Sequence, residues 1–179
     1  MALTATVYKA DCSIVDIDRN YYADHQLTLV CQPSETHERM MMRLLAFALN
    51  ANPDLQFAAG MMDNDEPDLW HKDLTGAIDL WLEVGQPDEK RILKACGRSN
   101  LVKIYTYHGR PQIWWNALAP KVEKARNLEV YSVNSTASKA LVQFVQRNIN
   151  IQVTIQDGAI WVRNDNLEVE VTLTKLNSI

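Results

Sequence analysis

Two acidic residues, Asp68 and Glu83, have the type and the spacing to hold a metal ion. They lie in the segment 67–85, PDLWHKDLTGAIDLWLEVG, whose pattern predicts two antiparallel strands with a turn at Thr75–Gly76. A two-residue turn places residues whose numbers sum to 151 opposite each other. On one face of the sheet this register predicts three facing pairs: Lys72 with Asp79, Trp70 with Trp81, and Asp68 with Glu83.

Facing carboxylates repel each other at a cost of up to about 1 kcal/mol, so we expect a cation between Asp68 and Glu83. Mg²⁺ or Mn²⁺ fits, because a hard divalent ion uses one or two protein carboxylates together with waters and phosphate oxygens. The alternative is a solvated sheet edge at which both acids point into water. Asp79 lies about 13 Å from Glu83 along the strand, too far to share one ion, and is expected to neutralise Lys72.

Glu38 is a third acidic candidate, on a predicted helix that runs from about Glu35 to Asn50. It falls on the apolar stripe of that helix, so its carboxylate is expected to face inward and to need a partner. The partner is either a metal ion or its water, or an arginine or a backbone amide. Ser34 is the expected N-cap, and Glu35 with Arg39 is an expected surface ion pair at i,i+4 spacing.

Three basic residues, Arg91, Lys94 and Arg98, share one stripe of a second predicted helix, which begins at Pro87–Asp88–Glu89. If this helix packs beside the strand that ends at Glu83, the stripe could contact phosphates or supply a lysine to the metal site. The alternative is a solvated helix face.

The elements around these residues predict an α/β fold with a mixed α+β sheet. Helices and strands alternate through 33–150 in the order helix, three strands, helix, strand. Alternating β patterns in 1–32 and 151–179 predict antiparallel ribbons at both ends of the chain, and the two ribbons are candidates for pairing with each other. Asp157–Gly158, between two alternating runs, predicts a hairpin turn.

Composition excludes several classes of protein. The 179 residues are 47% hydrophobic and 22% charged, which indicates one soluble domain, 1–179, rather than a disordered or fibrous chain. Eighteen Lys plus Arg against 22 Asp plus Glu give a net charge of −4, so contact with nucleic acid would need a local basic patch. No apolar run approaches the about 20 residues of a membrane-spanning helix, and no membrane partner is expected.

The cysteines, Cys12, Cys31 and Cys96, are odd in number and show no CxxC spacing. This usage predicts reduced thiols and a cytoplasmic location, and it argues against a zinc site. The oligomeric state is left open by the sequence.

Several long stretches of the chain resemble the YaeQ family of small bacterial proteins. They are ATVYKA, PSETHERMMMRLLAFAL, DNDEPDLWHKDLTG, IDLWLEVGQPDEKRILKACGR, IYTYHGR with IWW, and IQDGAIWV. The resemblance covers essentially the whole chain. It implies a core similar to the PD-(D/E)XK nuclease superfamily, whose element order is helix, three strands, helix, strand.

Carried over from that superfamily, the Pro-Asp step falls on Pro67–Asp68, the second acid on Glu83 and the helical acid on Glu38. A different alignment places the first acid at Asp79. The superfamily's lysine, two residues after the second acid, is here Gly85. Either a basic residue has moved, with Lys94, Arg91 or Lys72 taking its place, or catalysis is lost.

Three functions follow from these residues. The first is a Mg²⁺- or Mn²⁺-dependent phosphodiesterase of nuclease type, in which Asp68, Glu83 and Glu38 serve the metal and Arg91, Arg98 and Lys72 bind substrate. The second is a non-catalytic module that binds nucleic acid or a protein partner through the basic helix. The third is a scaffold whose terminal ribbons mediate self-association.

Overall fold

The structure is a computed structural model that describes residues 3–177. Within these residues, eleven strands form two mixed sheets, and there are four α-helices. The strands are β1 (Thr6–Asp16), β2 (Tyr21–Cys31), β3 (Gln56–Phe57), β4 (Leu69–Lys72), β5 (Ile78–Val84), β6 (Ser99–Thr106), β7 (Leu128–Val133), β8 (Asn148–Gln156), β9 (Ala159–Arg163), β10 (Glu168–Val171) and β11 (Leu173–Lys175). The helices are α1 (His37–Leu49), α2 (Glu89–Arg98), α3 (Pro111–Val122) and α4 (Ser135–Ala140). The mixed α+β class is as predicted, and within 33–150 the chain follows the predicted order of α1, β3 to β5, α2 and β6.

The chain divides into two compact units, one of Met1–Ala48 and Asn134–Thr172 and the other of Leu49–Val133 and Leu173–Ile179. None of the helices within residues 3–177 has the length and apolar run needed to cross a membrane. The single-domain division of the chain stays a prediction.

The first unit contains a five-stranded sheet in the order β10-β9-β8-β1-β2. β1 and β2 pair antiparallel over their whole length, and β1 pairs parallel with β8. The predicted pairing between the two terminal ribbons is therefore confirmed. The predicted hairpin at Asp157–Gly158 is also confirmed, and the Asp18 carboxylate accepts hydrogen bonds from both amides of this turn, at 2.7 and 2.9 Å.

The start of α1 differs from the prediction. The helix begins at His37, and its N-cap is Thr36 rather than Ser34, because Thr36 Oγ1 accepts the Arg39 amide at 3.1 Å. Glu35 and Arg39 do form the expected ion pair, but the prediction that this pair lies on the surface is wrong. The Glu35 side chain is 2% exposed and accepts from Arg39 at 2.7 Å and from Arg43 at 2.6 and 2.9 Å. Arg43 is eight residues away, so i,i+4 spacing could not identify it.

The second unit contains a six-stranded sheet in the order β11-β7-β6-β5-β4-β3, with β5, β6 and β7 parallel. Its core is formed by apolar side chains of these three strands and of α2 and α3: Ile78, Trp81, Ile92, Ala95, Val102, Ile104, Trp115, Leu118, Val122, Leu128 and Val130. The predicted start of α2 is confirmed, since Asp88 is its N-cap and accepts the Arg91 amide at 2.8 Å.

Two further predictions on elements are wrong. The alternating residues 167–176 predict one C-terminal strand, but the structure divides them at Thr172 into β10 and β11. At this point the Thr172 amide donates to Asn134 Oδ1 at 2.9 Å, and the Thr172 carbonyl accepts the Asn134 amide at 3.3 Å. Pro120, within the helical pattern of residues 110–125, predicts a break in that helix, and this break does not occur. Proline removes one amide donor, and α3 continues through it to Val122.

Candidate active site

The hairpin of β4 and β5 keeps the predicted register at the end far from its turn. Leu69 faces Leu82 and Trp70 faces Trp81, so the predicted Trp pair is confirmed. The two indole rings meet edge to face with centroids 6.1 Å apart. This half of the hairpin leads directly into Asp68 on one side and Glu83 on the other.

Near the turn the register differs because the loop has three residues instead of two. The Asp73 carboxylate accepts the amides of Thr75 and Ala77, at 2.8 and 3.0 Å, and the Asp73 amide donates to the Ala77 carbonyl at 2.9 Å. Asp73 and Ala77 therefore close the loop, and the pairing shifts by one residue beyond His71.

The predicted pair of Lys72 with Asp79 is consequently wrong. Lys72 faces Ile78, and its ammonium lies over the Trp70 ring at 3.8 Å from the centroid. Asp79 is the extra residue of the bulge and accepts a hydrogen bond from Asn100 Nδ2 at 2.7 Å. The hydrogen bonds that Asp73 accepts in the turn go with the shifted register, and in that register the charge pair of Lys72 with Asp79 does not form.

Asp68 is buried at the point where the ladder between β4 and β5 ends. Its exposed fraction is 1%, its amide donates to the Leu82 carbonyl at 3.1 Å, and its Oδ2 accepts the Val84 amide at 2.8 Å. The side chain thus takes the place of a backbone acceptor and is fixed against β5. Because Val84 follows Glu83, this bond brings the Asp68 carboxylate to the part of β5 that carries Glu83.

Glu83 is buried as well, with 4% exposure. Its Oε1 accepts two hydrogen bonds, from Trp81 Nε1 and from Arg91 Nε, both at 2.8 Å. Burial and then the charge of Asp68 raise the pKa of Glu83 from 4.5 to about 7, although Arg91 and the Trp81 hydrogen bond act in the opposite direction. In this structure the cation in contact with Glu83 is the guanidinium of Arg91.

Arg91 also binds the backbone of an acidic loop, which we define as residues 60–66. Its guanidinium donates to the carbonyl oxygens of Glu66 at 2.6 Å, Asp63 at 3.3 Å and Gly60 at 3.5 Å. One side chain therefore ties the acidic loop to Glu83. A guanidinium can do this because it carries five donors in a planar fork.

The other two cations of the predicted basic stripe bind the same acidic loop. Lys94 pairs with the Asp65 carboxylate, and this hydrogen bond lowers the pKa of Asp65. Arg98 donates to the Asp65 carbonyl at 2.8 Å and lies 5.3 Å from the centroid of the Trp81 ring. Arg91, Lys94 and Arg98 are thus brought together as expected, with the acidic loop rather than a phosphate as their partner.

Gly60 is a site residue that the sequence reasoning missed. The apolar pattern of residues 55–62, LQFAAGMM, predicts one short strand, but only Gln56–Phe57 is a strand and Gly60–Met62 forms a 3₁₀ turn. The φ of Gly60 is +57°, and a Cβ placed on it would lie 2.4 Å from Asp68 Oδ1. A glycine close to the four polar residues 63–66 was the available signal for this turn.

Glu38 lies in the first unit, where its Oε2 accepts a hydrogen bond from Ser138 Oγ of α4 at 2.7 Å. The Glu38 carboxylate is therefore partnered by a serine hydroxyl rather than by the expected arginine or backbone amide. Its role beside Asp68 and Glu83 stays a prediction. Among residues 3–177, no group of three or more His, Cys, Asp or Glu side chains is arranged to hold a metal ion.

Comparisons with known proteins agree on one family. A family model described as YaeQ protein matches residues 1–173. The uncharacterised protein YaeQ of Escherichia coli K12 is 45% identical over 175 residues, which are 97% of this chain and 97% of the relative. The protein of the same name from Salmonella typhi is 45% identical and covers 96% of this chain and 97% of its own.

Two crystal structures of similar proteins match over nearly the whole chain. The YaeQ protein from Xanthomonas axonopodis pv. citri has a TM-score of 0.93 and 45% identity, and the match covers 98% of this chain and 100% of that one. The YaeQ protein from Pseudomonas syringae has a TM-score of 0.93 and 33% identity, with 98% and 97% covered.

Proposed function

The chain belongs to the YaeQ family, and we propose that it is a phosphodiesterase that depends on a divalent metal ion held by Asp68 and Glu83. One observation carries the proposal: two acidic side chains are buried against the same stretch of β5, and the pKa of one is raised to about 7. Burying acids in this way opposes folding, because a charged group loses its hydration. Buried acids with a perturbed pKa and a specific charged partner are typical of functional sites.

The residues present fit a hard divalent ion. Mg²⁺ is commonly bound by one or two carboxylates, with waters and substrate phosphate oxygens completing the shell. Asp68 and Glu83, two buried acids of the second unit, suit such a site. Both hydrogen bonds accepted by Glu83 fall on Oε1, so Glu83 would hold the ion through Oε2. The hydrogen bond from the Val84 amide fixes the orientation of the Asp68 carboxylate.

Arg91 is the best replacement for the superfamily's lysine among the three candidates. It contacts Glu83 at 2.8 Å, whereas Lys94 pairs with Asp65 and Lys72 lies over Trp70. Gly85 cannot easily be a lysine here, because its φ of +107° is a conformation that L side chains rarely adopt.

The chain's own residues would divide the work as follows. A bound Mg²⁺ supplies positive charge at the phosphate and lowers the pKa of a water. Glu83, with a pKa near neutrality, would release its proton when its carboxylate takes up the ion. Arg91, held beside Glu83, would supply positive charge to stabilise the phosphate oxygens in the transition state.

A hydrolysis assay tests this proposal. Labelled single- and double-stranded oligonucleotides are incubated with wild-type protein and Mg²⁺ or Mn²⁺, beside Asp68→Asn and Glu83→Gln. We expect wild-type cleavage to stop when the metal is chelated and to fall at least about 100-fold in both variants. Glu89→Gln, a surface carboxylate of α2, is the matched control and should keep full activity.

The same assay separates the two alignments of the first acid. Asp79→Asn should cleave at the wild-type rate, because Asp79 is bonded to Asn100 and lies in the bulge. Loss of activity in Asp79→Asn with retention in Asp68→Asn would move the site to Asp79. Absence of metal-dependent cleavage of every substrate by the wild type would contradict the proposed activity.

A second candidate function, a non-catalytic module that binds nucleic acid, is favoured by one observation. Three basic side chains of α2 converge on one acidic loop, and an oxyanion of a ligand could compete for Lys94 and Arg98. Fluorescence anisotropy with a labelled oligonucleotide tests it. Lys94→Glu with Arg98→Glu should weaken binding, and the difference from wild type should shrink as salt is raised. No binding by the wild type at low salt would exclude this candidate.

A further inference from the structure

β2 forms one edge of the five-stranded sheet in the first unit, and it is unusually long for an edge strand. It pairs with β1 through eleven consecutive positions, from Thr6 facing Cys31 to Asp16 facing Tyr21, without a bulge. Its sequence, YYADHQLTLVC, contains no lysine, arginine, proline or glycine. The features by which proteins usually protect an exposed edge, namely short length, bulges, prolines and lysines, are missing from it.

The hydrogen bonds of β1 establish which groups of β2 face outward. The amides of Lys9 and Ile17 donate toward β8, to the carbonyls of Arg147 at 3.1 Å and Ile155 at 2.8 Å. The backbone N–H and C=O groups of odd-numbered residues of β1 therefore face β8, and those of even-numbered residues face β2. In an antiparallel pair, the N–H and C=O of one residue point to the same side. The partners of the even-numbered residues of β1 are the odd-numbered residues of β2. The backbone N–H and C=O groups of the even-numbered residues of β2 therefore point away from β1, toward the open edge of the sheet.

The outward residues of β2 are Tyr22, Asp24, Gln26, Thr28 and Val30. An independent contact agrees with this assignment, because the Val30 carbonyl accepts a hydrogen bond from Arg43 at 2.9 Å. Within residues 3–177, no backbone hydrogen bond outside the regular ladders involves the other four. Their side chains are exposed, and Tyr22 is exposed to 57%.

The other three sheet edges formed by residues 3–177 are short or charged. β10 has four residues, of which two are Glu168 and Glu170. β3 has two residues, and β11 has three, including Lys175. β2 alone among these four edges offers a long, nearly uncharged row of backbone donors and acceptors. Such a row pairs readily with another strand.

We propose that β2 pairs antiparallel with β2 of a second copy of this chain about a twofold axis at His25. This register places Tyr22 opposite Thr28 and Asp24 opposite Gln26 of the second copy. Four facing pairs exchange about eight backbone hydrogen bonds, and they use the outward groups of residues 22–28 while leaving the Val30 carbonyl to Arg43. The paired sheets form one continuous ten-stranded sheet.

The charges of the strand favour a second copy and this register. Asp24 is the one carboxylate of β2, and in the proposed register it faces the amide of Gln26. Moving the axis to Asp24 would place two Asp24 carboxylates opposite each other, and like charges at facing positions are destabilising. Closed twofold dimers are the commonest assemblies of soluble proteins, and a self-complementary strand satisfies their symmetry.

Light scattering coupled to size exclusion tests the dimer with a backbone-specific variant. Gln26→Pro removes an outward N–H and leaves the bonds to β1 intact, since proline is tolerated where an edge N–H faces away from the sheet. Gln26→Ala keeps the N–H and is the matched control. We expect twice the chain mass for wild type and Gln26→Ala, and the single-chain mass for Gln26→Pro with an unchanged far-UV circular dichroism spectrum. A wild type that is monomeric at its highest soluble concentration, or a Gln26→Pro variant that remains dimeric, overturns the proposal.

Amide hydrogen exchange on the wild type gives a second test that does not depend on a variant folding. In a dimer, the amides of Tyr22, Asp24, Gln26 and Thr28 are protected along with the odd-numbered amides of β2. On dilution the even-numbered amides should lose protection selectively, with a period of two residues. Even-numbered amides that exchange rapidly at every concentration contradict the pairing, and so does protection that does not change on dilution into the monomeric range.

Discussion

Replacing Glu83 by glutamine should remove a pH dependence from the stability of the protein. The pKa of Glu83 is about 7 in the folded chain and 4.5 for an ordinary glutamate. Between these values the folded protein keeps a proton that the unfolded chain has released, so the free energy of unfolding falls as pH rises. The interval is about 2.5 pH units at about 1.4 kcal/mol each, which gives a loss of about 3 kcal/mol. The loss is absent below about pH 4.5 and complete above about pH 7.

Urea unfolding from about pH 5 to about pH 8 measures this loss. Glu83→Gln keeps an oxygen that can accept from Trp81 and Arg91 but cannot ionise. As pH rises across the interval, the free energy of unfolding of Glu83→Gln minus that of wild type should therefore increase by about 3 kcal/mol. Glu89→Gln, on the surface of α2, should follow the wild-type profile and serves as the control.

If the free energies of unfolding of wild type and Glu83→Gln change equally with pH, the carboxyl group of Glu83 titrates near its ordinary pKa and is not perturbed by burial. Added Mn²⁺ sharpens the test. A bound cation favours the ionised carboxylate, so Mn²⁺ should restore wild-type stability at about pH 8 and have little effect on Glu83→Gln.

Three further substitutions test the surroundings of the acids. Arg91→Met leaves Glu83 buried without its cation and should cost about 3 kcal/mol in urea unfolding; a loss below about 1 kcal/mol would show that the pair is dispensable. Gly60→Ala forces a Cβ against Asp68 Oδ1 at a positive φ and should cost about 2 kcal/mol and weaken metal binding, whereas unchanged metal binding would contradict the placement of the Asp68 carboxylate. Lys94→Met should leave the midpoint of thermal unfolding unchanged but speed proteolytic cleavage within the acidic loop, because its pair is exposed; an unchanged cleavage rate would argue that Lys94 does not hold the loop.

The far half of the β4–β5 hairpin was predictable because its register follows from alternation, and Trp70 does face Trp81. The near half was not, because the Asp73 carboxylate binds two amides and selects a three-residue loop. In a sequence, the only sign of a side chain that accepts hydrogen bonds from turn amides is an aspartate close to a glycine, which does not give the length of the loop. The consequence for the site was the wrong partner for Asp79.

Long-range partners were the other part that the sequence could not supply. The burial of Glu35 follows from Arg43, eight residues away, and periodicity within a helix does not identify such a pair. The acidic loop and α2 are about thirty residues apart, and nothing in their spacing along the chain relates the charges of one to those of the other. The stripe of Arg91, Lys94 and Arg98 was nevertheless recognisable, since helical spacing alone places these residues together.

The metal site at Asp68 and Glu83 can be tested by calorimetric titration of Mn²⁺ into the protein at about pH 8, where Glu83 is ionised. We expect binding by the wild type and by Glu89→Gln, and none by Asp68→Asn or Glu83→Gln. We also expect proton release and weaker binding at about pH 6, because the metal must displace the proton of Glu83. Absence of binding by the wild type with and without an oligonucleotide, or undiminished binding by both acid variants, would contradict a metal site at Asp68 and Glu83.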